Sequence, residues 1–386
     1  MKITGVETIL VRPPAGTRGG KLWTFVKLLT DAGIAGWGEV QMSANTPAAY
    51  SPASLSSLVG DLCDAALIGE DPCCISRLMQ RLYEGPCLHY PDATLMGVMS
   101  ALDMCLWDIL GKDLNRPVYV LLGGAVRKRL RAYTYTGALP KVHDDPMENL
   151  NHWVERGLTG LKVDPIATDR LAVDEWEQAR PGILSLPAIK EAERKFAELR
   201  QLVGDRCDLM VGTHGQMSPA GAVRLARALE PYRPLWFEEP VPPERVDEMA
   251  RVARATCIPI ATGERLTNRY EFARVLQQQA AHVLQFDLGR CGGITEAKAI
   301  ADMAQAHYAH VAPHLWGGPI MAAASIQIDM CCRSFLIQES IGDWSGFHAE
   351  ILREPIEWKE GFIIPSDRPG LGYELDENVA RKHAAS

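Results

Sequence analysis

Apolar and polar side chains alternate over residues 2–12, the period of a strand with one buried face. "LWTFVKLL", "TDAG" and "IAGWGEVQ" follow as strand, turn and strand, since Asp and Gly tolerate the backbone angles of a tight turn. The period then lengthens to that of helices over about 47–68, 73–84 and 95–114. The last contains "LMGVMSALDMCLWDILGK", apolar on most faces, which predicts a helix buried between two units. Residues 1–125 therefore read as an N-terminal α+β domain.

Beyond them, short β-rich runs alternate with helical ones. The strands are "RAYTYT" (131–136), "GLKVD" (160–164), "DLMVGT" (208–213), "LWFEE" (235–239), "PIATGE" (259–264), "HVLQFDL" (282–288), "HVAPH" (310–314) and "SFLIQES" (334–340). Eight strands with seven helical connections, "SPAGAVRLARALEPY" and "GGITEAKAIADMAQAHY" among them, are what a parallel (β/α)8 barrel of TIM type requires. The predicted class is thus α/β, a barrel over 126–345 capped by the opening domain. Residues 165–187 form an extra loop inside one connection. The tail, 346–386, contains "EGFIIPSDRPGLGYELDE" and predicts short strands and turns that return to the capping domain and complete it.

A chain of 386 residues exceeds one ordinary core, in keeping with a barrel plus an addition. With 47% hydrophobic and 23% charged residues it has soluble-globular composition. A net charge of −8 and no Lys/Arg run argue against nucleic acid as a partner. The opening "MKITGVETILVRPPAG" reads as neither a signal peptide nor a membrane span, and no membrane partner is expected. The ten cysteines contain no CxxC pair, so they read as buried thiols in a reducing cytoplasm.

Active sites of such barrels lie at the C-terminal ends of the strands. The polar residues there are Lys162 and Asp164, then His214, Glu238 with Glu239, Glu264, Asp287, His314 and Glu339. From His214 onward the spacings are 24, 26, 23, 27 and 25 residues, each about one βα unit, so the side chains return to one rim. Carboxylates gathered around one point repel unless a cation sits there, and hard oxygen ligands suit Mg²⁺. A divalent ion can stabilise the dianion formed when a carboxylic acid loses its α-proton. A histidine can take that proton near neutral pH if its other ring nitrogen is held. Asp287 ends the strand beside that of His314, which makes an Asp–His dyad plausible, and His214 lies across the mouth.

On "GIAGWGE", "ALDMCLWDILGK", "PVYVLLGG", "LEPYRPLWFEEPV", "IPIATGER", "LQFDL", "GGITEAKAIADMA", "APH" and "PGLGYELDE", the chain resembles the mandelate racemase/muconate lactonizing enzyme family of the enolase superfamily, and within it the sugar-acid dehydratases. The resemblance implies an α+β cap closing the barrel and Mg²⁺ held by acidic residues on successive strands. It places two ligands on Glu238 and Glu264, makes His314 with Asp287 the base at C2, and His214 the acid at the C3 hydroxyl. It puts Glu339 on the substrate carboxylate or enediolate.

One departure stands out. Dehydratases of this group read Asp-x-His-Gly-Arg at the third strand, where this chain reads Gly212-Thr213-His214-Gly215-Gln216. The first metal ligand is missing. Asp164, two residues from Lys162 and on the same inward face, is either a substitute ligand or an ordinary polar rim residue. The second lysine of the K-x-K pattern of racemases is this same aspartate.

The expected function is Mg²⁺-dependent dehydration of an aldonate-type sugar acid to a 2-keto-3-deoxy acid. The alternatives are a racemase or epimerase of a hydroxy acid, and a homologue that binds a sugar acid without turning it over. Loops 12–23 and 87–93 would close over the substrate, Lys162 would contact it at the rim, and Arg18, Lys21, His89 and Tyr90 would meet its distal groups. Related enzymes commonly assemble as symmetric homo-oligomers, and the same is expected here.

Overall fold

A computed structural model describes residues 1–41, 52–166, 182 and 184–385. Strands β1 (Ile3–Val11), β2 (Trp23–Thr30) and β3 (Ala35–Val40) form an antiparallel sheet in the order β1-β2-β3. Helices α1 (Pro52–Ala66), α2 (Ile75–Glu84) and α3 (Ala93–Asp113) complete the cap. The start expected for the first helix, at about residue 47, falls outside the described residues.

The "GWGE" stretch explains how α3 seats. A Cβ on Gly36 would lie 2.1 Å from the carbonyl oxygen of Cys105, and one on Gly38 would lie 2.0 Å from that of Ala101. Only glycine lets helix and strand backbones approach so closely. The intervening side chains face the other way. Trp37 Nε1 donates to Glu374 in the C-terminal segment at 3.0 Å. Glu39 accepts from the backbone N–H groups of Gly318 and Met321, at the start of a barrel helix, where a carboxyl suits the exposed donors.

The acidic residues inside apolar α3 have similar roles. Asp103 accepts from Thr295, and the Ser100 hydroxyl accepts from the N–H of Gly292, both on the barrel. Asp108 is fully buried and accepts from Trp37 N at 2.9 Å, Leu371 N at 2.8 Å and Lys112 Nζ at 2.7 Å. The helix is long and apolar enough to cross a membrane, but most of it is buried inside this fold.

After the one-turn helix α4 (Val118–Leu121), the barrel strands are β4 (Leu130–Tyr135), β5 (Gly160–Val163), β6 (Asp208–Gly212), β7 (Phe237–Glu238), β8 (Ile260–Thr262), β9 (Val283–Leu284), β10 (His310–Val311) and β11 (Gln338–Ser340). From β4 to β10 each pairs in parallel with the next, and β11 pairs with β4. A bridge from Val311 to Phe335 closes the ring. The connecting helices are α5 (Pro146–Glu155), α6 (Leu186–Val203), α7 (Pro219–Leu229), α8 (Val246–Ala253), α9 (Arg269–Gln277), α10 (Gly293–Ala306) and α11 (Pro319–Cys331). Their starts are locally encoded: Ser218 caps α7 with Pro219 at its first position, and Asn268 caps α9. Tyr133, Met210, Trp236, Ala261, Val283, Ala312 and Ile337 fill the barrel interior, so it is a packed core and not a pore.

The C-terminal segment adds α12 (Phe347–Glu350), the hairpin β12 (Glu357–Lys359) and β13 (Phe362–Ile364), and α13 (Glu377–Lys382). The hairpin joins the barrel sheet, Phe362 pairing antiparallel with Arg131. The last residues reach the cap: Val11 bridges Ala384, and Lys27 pairs with Glu377 at 2.6 Å.

Candidate active site

Asp287 and His314 lie on neighbouring strands and face each other across a parallel bridge. His314 Nδ1 is 2.6 Å from Asp287 Oδ2. A carboxylate only accepts, so Nδ1 carries the proton and Nε2 is turned toward the mouth. Nε2 lies 3.6 Å from Glu264 Oε2 and 3.9 Å from Glu339 Oε2. Burial opposes charge on the ring, but the Glu339 carboxylate, the bond to Asp287 and Glu264 outweigh it and raise His314 to about 9.

His214 has φ 52 and Gly215 has φ 69, two left-handed residues that turn the chain out of β6. Histidine is among the side chains enriched in that region, at a cost of about 1–2 kcal/mol. Gly215 is required there, because a Cβ would lie 3.1 Å from both Arg265 Nη1 and Pro242 Cα. Arg265 holds the turn. It donates to the His214 carbonyl at 3.0 Å and to Glu239 Oε2 at 2.6 Å. The His214 imidazole is 41% exposed, with Nδ1 3.8 Å from Asp164 Oδ2. Its partial burial favours the neutral ring, but Asp164 and Glu264 prevail and shift its pKa upward.

Lys162 and Glu339 form the buried floor. Lys162 Nζ is 2.9 Å from Glu238 Oε1 and 2.7 Å from Glu339 Oε1, and all three side chains are nearly inaccessible. Glu339 Oε2 accepts from Leu315 N at 2.9 Å. Glu238 Oε2 accepts from Trp236 Nε1 at 3.1 Å and Gln285 Nε2 at 2.6 Å. Burial disfavours the ammonium, but Glu238 and Glu339 outweigh it and hold Lys162 well above its ordinary range, so it stays charged and is no free base. Among the described residues, Glu264 has only distant partners, His314 and Arg265, each at 3.6 Å. Burial raises its pKa, but His314, His214 and Arg265 prevail and lower it to about 2.

The donor set fits a three-carboxylate Mg²⁺ site poorly. Position 212 contributes no side chain. Both oxygens of Glu238 already accept hydrogen bonds, one of them from an ammonium. Asp164 Oδ1 accepts from Ile166 N at 2.9 Å, and Oδ2 faces Gln216 and His214. Asp164, Glu238 and Glu264 are therefore not brought together as ligands. Among the described residues no group of three His, Cys, Asp or Glu side chains could hold a metal ion.

The rim residues His214, Glu264, Asp287, His314 and Glu339 are thus brought together, with Lys162, Asp164 and Glu238 beside or below them. The four lid candidates are not. Arg18, Lys21, His89 and Tyr90 are exposed, and among the described residues none bonds to the cluster. The loop bearing Arg18 does reach the mouth, since a Cβ on Gly19 would touch the Gly317 carbonyl beyond β10. His89 instead packs on Tyr83, and Tyr90 is 94% exposed.

Sequence reasoning missed Gln285, Trp236 and Arg265. The first two were legible in principle. Gln285 lies two residues before Asp287 and Trp236 two before Glu238, hence on the same inward faces. Arg265 follows Glu264, and its close partners, the His214 carbonyl and Glu239, come from neighbouring strand ends.

Two family models match the chain: the mandelate racemase/muconate lactonizing enzyme N-terminal domain over residues 5–123 and the enolase C-terminal domain-like model over 146–379. D-galactonate dehydratase from Ralstonia nicotianae is 37% identical over 100% of this chain and 95% of its own length. Its namesake from Variovorax paradoxus is 36% identical over 98% and 93%. Crystal structures of mandelate racemase/muconate lactonizing enzymes from Burkholderia SAR-1 and Labrenzia alexandrii each superpose with a TM-score of 0.91 at 44% identity. Both cover 100% of this chain, and 94% and 96% of their own chains.

Proposed function

The chain belongs to the mandelate racemase/muconate lactonizing enzyme family of the enolase superfamily, and from that premise we propose that it dehydrates an aldonic acid of the D-galactonate type to the 2-keto-3-deoxy acid. It is an enzyme, a lyase of the dehydratase kind. The observation that carries the finer reading is the pairing of two histidines, each with its own aspartate, on one rim: His314 with Asp287 and His214 with Asp164.

His314 Nε2 takes the proton from C2, and the electron pair of that C–H bond passes into the enediolate. Asp287 holds the ring and stabilises the imidazolium that forms. The C3–O bond then breaks, and the hydroxyl leaves as water with a proton from His214. The enol that remains tautomerises to the 2-keto acid. Superfamily members work with Mg²⁺ in general, and Glu238 and Glu264 are the carboxylates that stand at the family's ligand positions. The donor set present fits that ion poorly, since both Glu238 oxygens are already hydrogen-bonded. The substrate is a soluble small molecule, which suits a cytoplasmic enzyme, and a symmetric homo-oligomer remains part of the reading. Racemisation with a lysine base is not supported, since Lys162 is locked between two carboxylates.

A panel of sugar acids assayed for 2-keto acid formation tests the reading; no product from any member would defeat it. If His214 serves only the leaving group, His214→Asn lowers dehydration by about a hundredfold, the lower part of the range for general acid–base catalysis. It keeps exchange of the C2 proton with solvent. Loss of both in a protein that still binds substrate would make His214 a positioning residue. A pH dependence follows as well. With His314 raised to about 9, the free enzyme carries a protonated base at neutral pH, so kcat/KM rises with pH toward about 9. A profile that falls across this range would remove His314 as the base.

A further inference from the structure

Gly212 is where the family's metal-ligand aspartate would stand, and its backbone does not ask for glycine: its φ lies outside the left-handed region. What asks for glycine is Lys162. A Cβ at position 212 would lie 3.1 Å from Lys162 Cδ and 3.2 Å from Cγ. The lysine stem runs across the vacated position, and its ammonium ends between Glu238 and Glu339, 2.9 and 2.7 Å away. An aspartate at 212 would crowd Lys162 in this rotamer, and the lysine stem would have to give by a few tenths of an ångström. At position 212 an acidic side chain is absent, and the space beside it is taken by the stem of a lysine from the neighbouring strand.

We infer that Lys162, with its stem across position 212 and its ammonium bonded to Glu238 and Glu339, keeps the family's divalent-cation site from forming in this chain, so that C2 proton abstraction does not depend on Mg²⁺. The inference rests on the dehydratase reading for its substrate, but not for the cation itself. A single positive charge between two carboxylates leaves little attraction for Mg²⁺, because a dication would have to approach an ammonium and share oxygens that are already hydrogen-bonded. The retained Glu264 fits the same picture. It faces Arg265 Nη2 and His314 Nε2, each at 3.6 Å.

The test uses the full chain, treated with chelator and checked for metal content. MgCl2 alone is titrated calorimetrically into wild type, Gly212→Ala and the double variant Gly212→Asp/Lys162→Met. Wild type is expected to show no binding up to millimolar Mg²⁺. The double variant, with a carboxylate restored and the ammonium removed, should gain at least about tenfold in affinity, the size typical of changes at metal-site partners. D-galactonate binding and C2 proton exchange in wild type should be the same in chelator and in millimolar MgCl2. Gly212→Ala, which keeps every charge and adds no carboxylate, should bind Mg²⁺ no better than wild type. Submillimolar Mg²⁺ binding by wild type, or exchange that appears only with Mg²⁺, overturns the inference. If no sugar acid binds or exchanges under either condition, the dehydratase reading falls. The Mg²⁺ titrations still judge the cation: silence in wild type with a gain in the double variant upholds the ammonium, and equal binding by both removes it.

Discussion

Replacing His314 by asparagine abolishes exchange of the substrate's C2 proton with solvent, and with it dehydration, in a protein that folds and binds as before. Asparagine preserves a donor toward Asp287 but offers no basic nitrogen at the Nε2 position. Among the described residues the ring has one polar partner below, Asp287 at 2.6 Å, and only long contacts on the mouth side, so its removal disturbs little besides the proton transfer. The expected fall is about 10²–10⁴-fold, the general range for a positioned acid or base. Proton exchange followed by NMR in deuterated solvent is the measurement, with thermal unfolding as the control. Exchange at the wild-type rate would take His314 out of the mechanism.

Lys162→Met should produce the largest loss of stability of any single substitution at the site. Methionine keeps the stem that packs on Gly212 but removes the charge, leaving Glu238 and Glu339 buried and facing each other. Breaking a buried ion pair by deleting one partner costs about 3–5 kcal/mol. The remaining donors, Trp236 and Gln285 on Glu238 and the Leu315 N–H on Glu339, keep the loss from being larger. In urea the midpoint should fall with little change in slope. A variant as stable as wild type at neutral pH would mean that Lys162 does not hold the two glutamates in place.

Much of this protein was decided by the sequence alone. The strand-to-strand spacing of about one βα unit puts His214, Glu238, Glu264, Asp287, His314 and Glu339 on a single rim, because a parallel barrel returns each strand end to the same face. The buried α3 was equally plain in its apolar faces, and the helix starts in Ser218-Pro219 and Asn268, since these signals act over three or four residues. Tertiary structure alone decided what those residues do to one another. That Asp164 turns to His214 and not to Glu238, that Arg265 clamps the His214 carbonyl, and that the hairpin ending at Ile364 joins the barrel sheet all depend on side-chain direction and long-range pairing, which residue identity does not specify. Gly212 shows the difference most clearly. In sequence it is a missing ligand; in three dimensions it is the space that Lys162 occupies, because a contact between neighbouring strands joins residues fifty positions apart that no local pattern links.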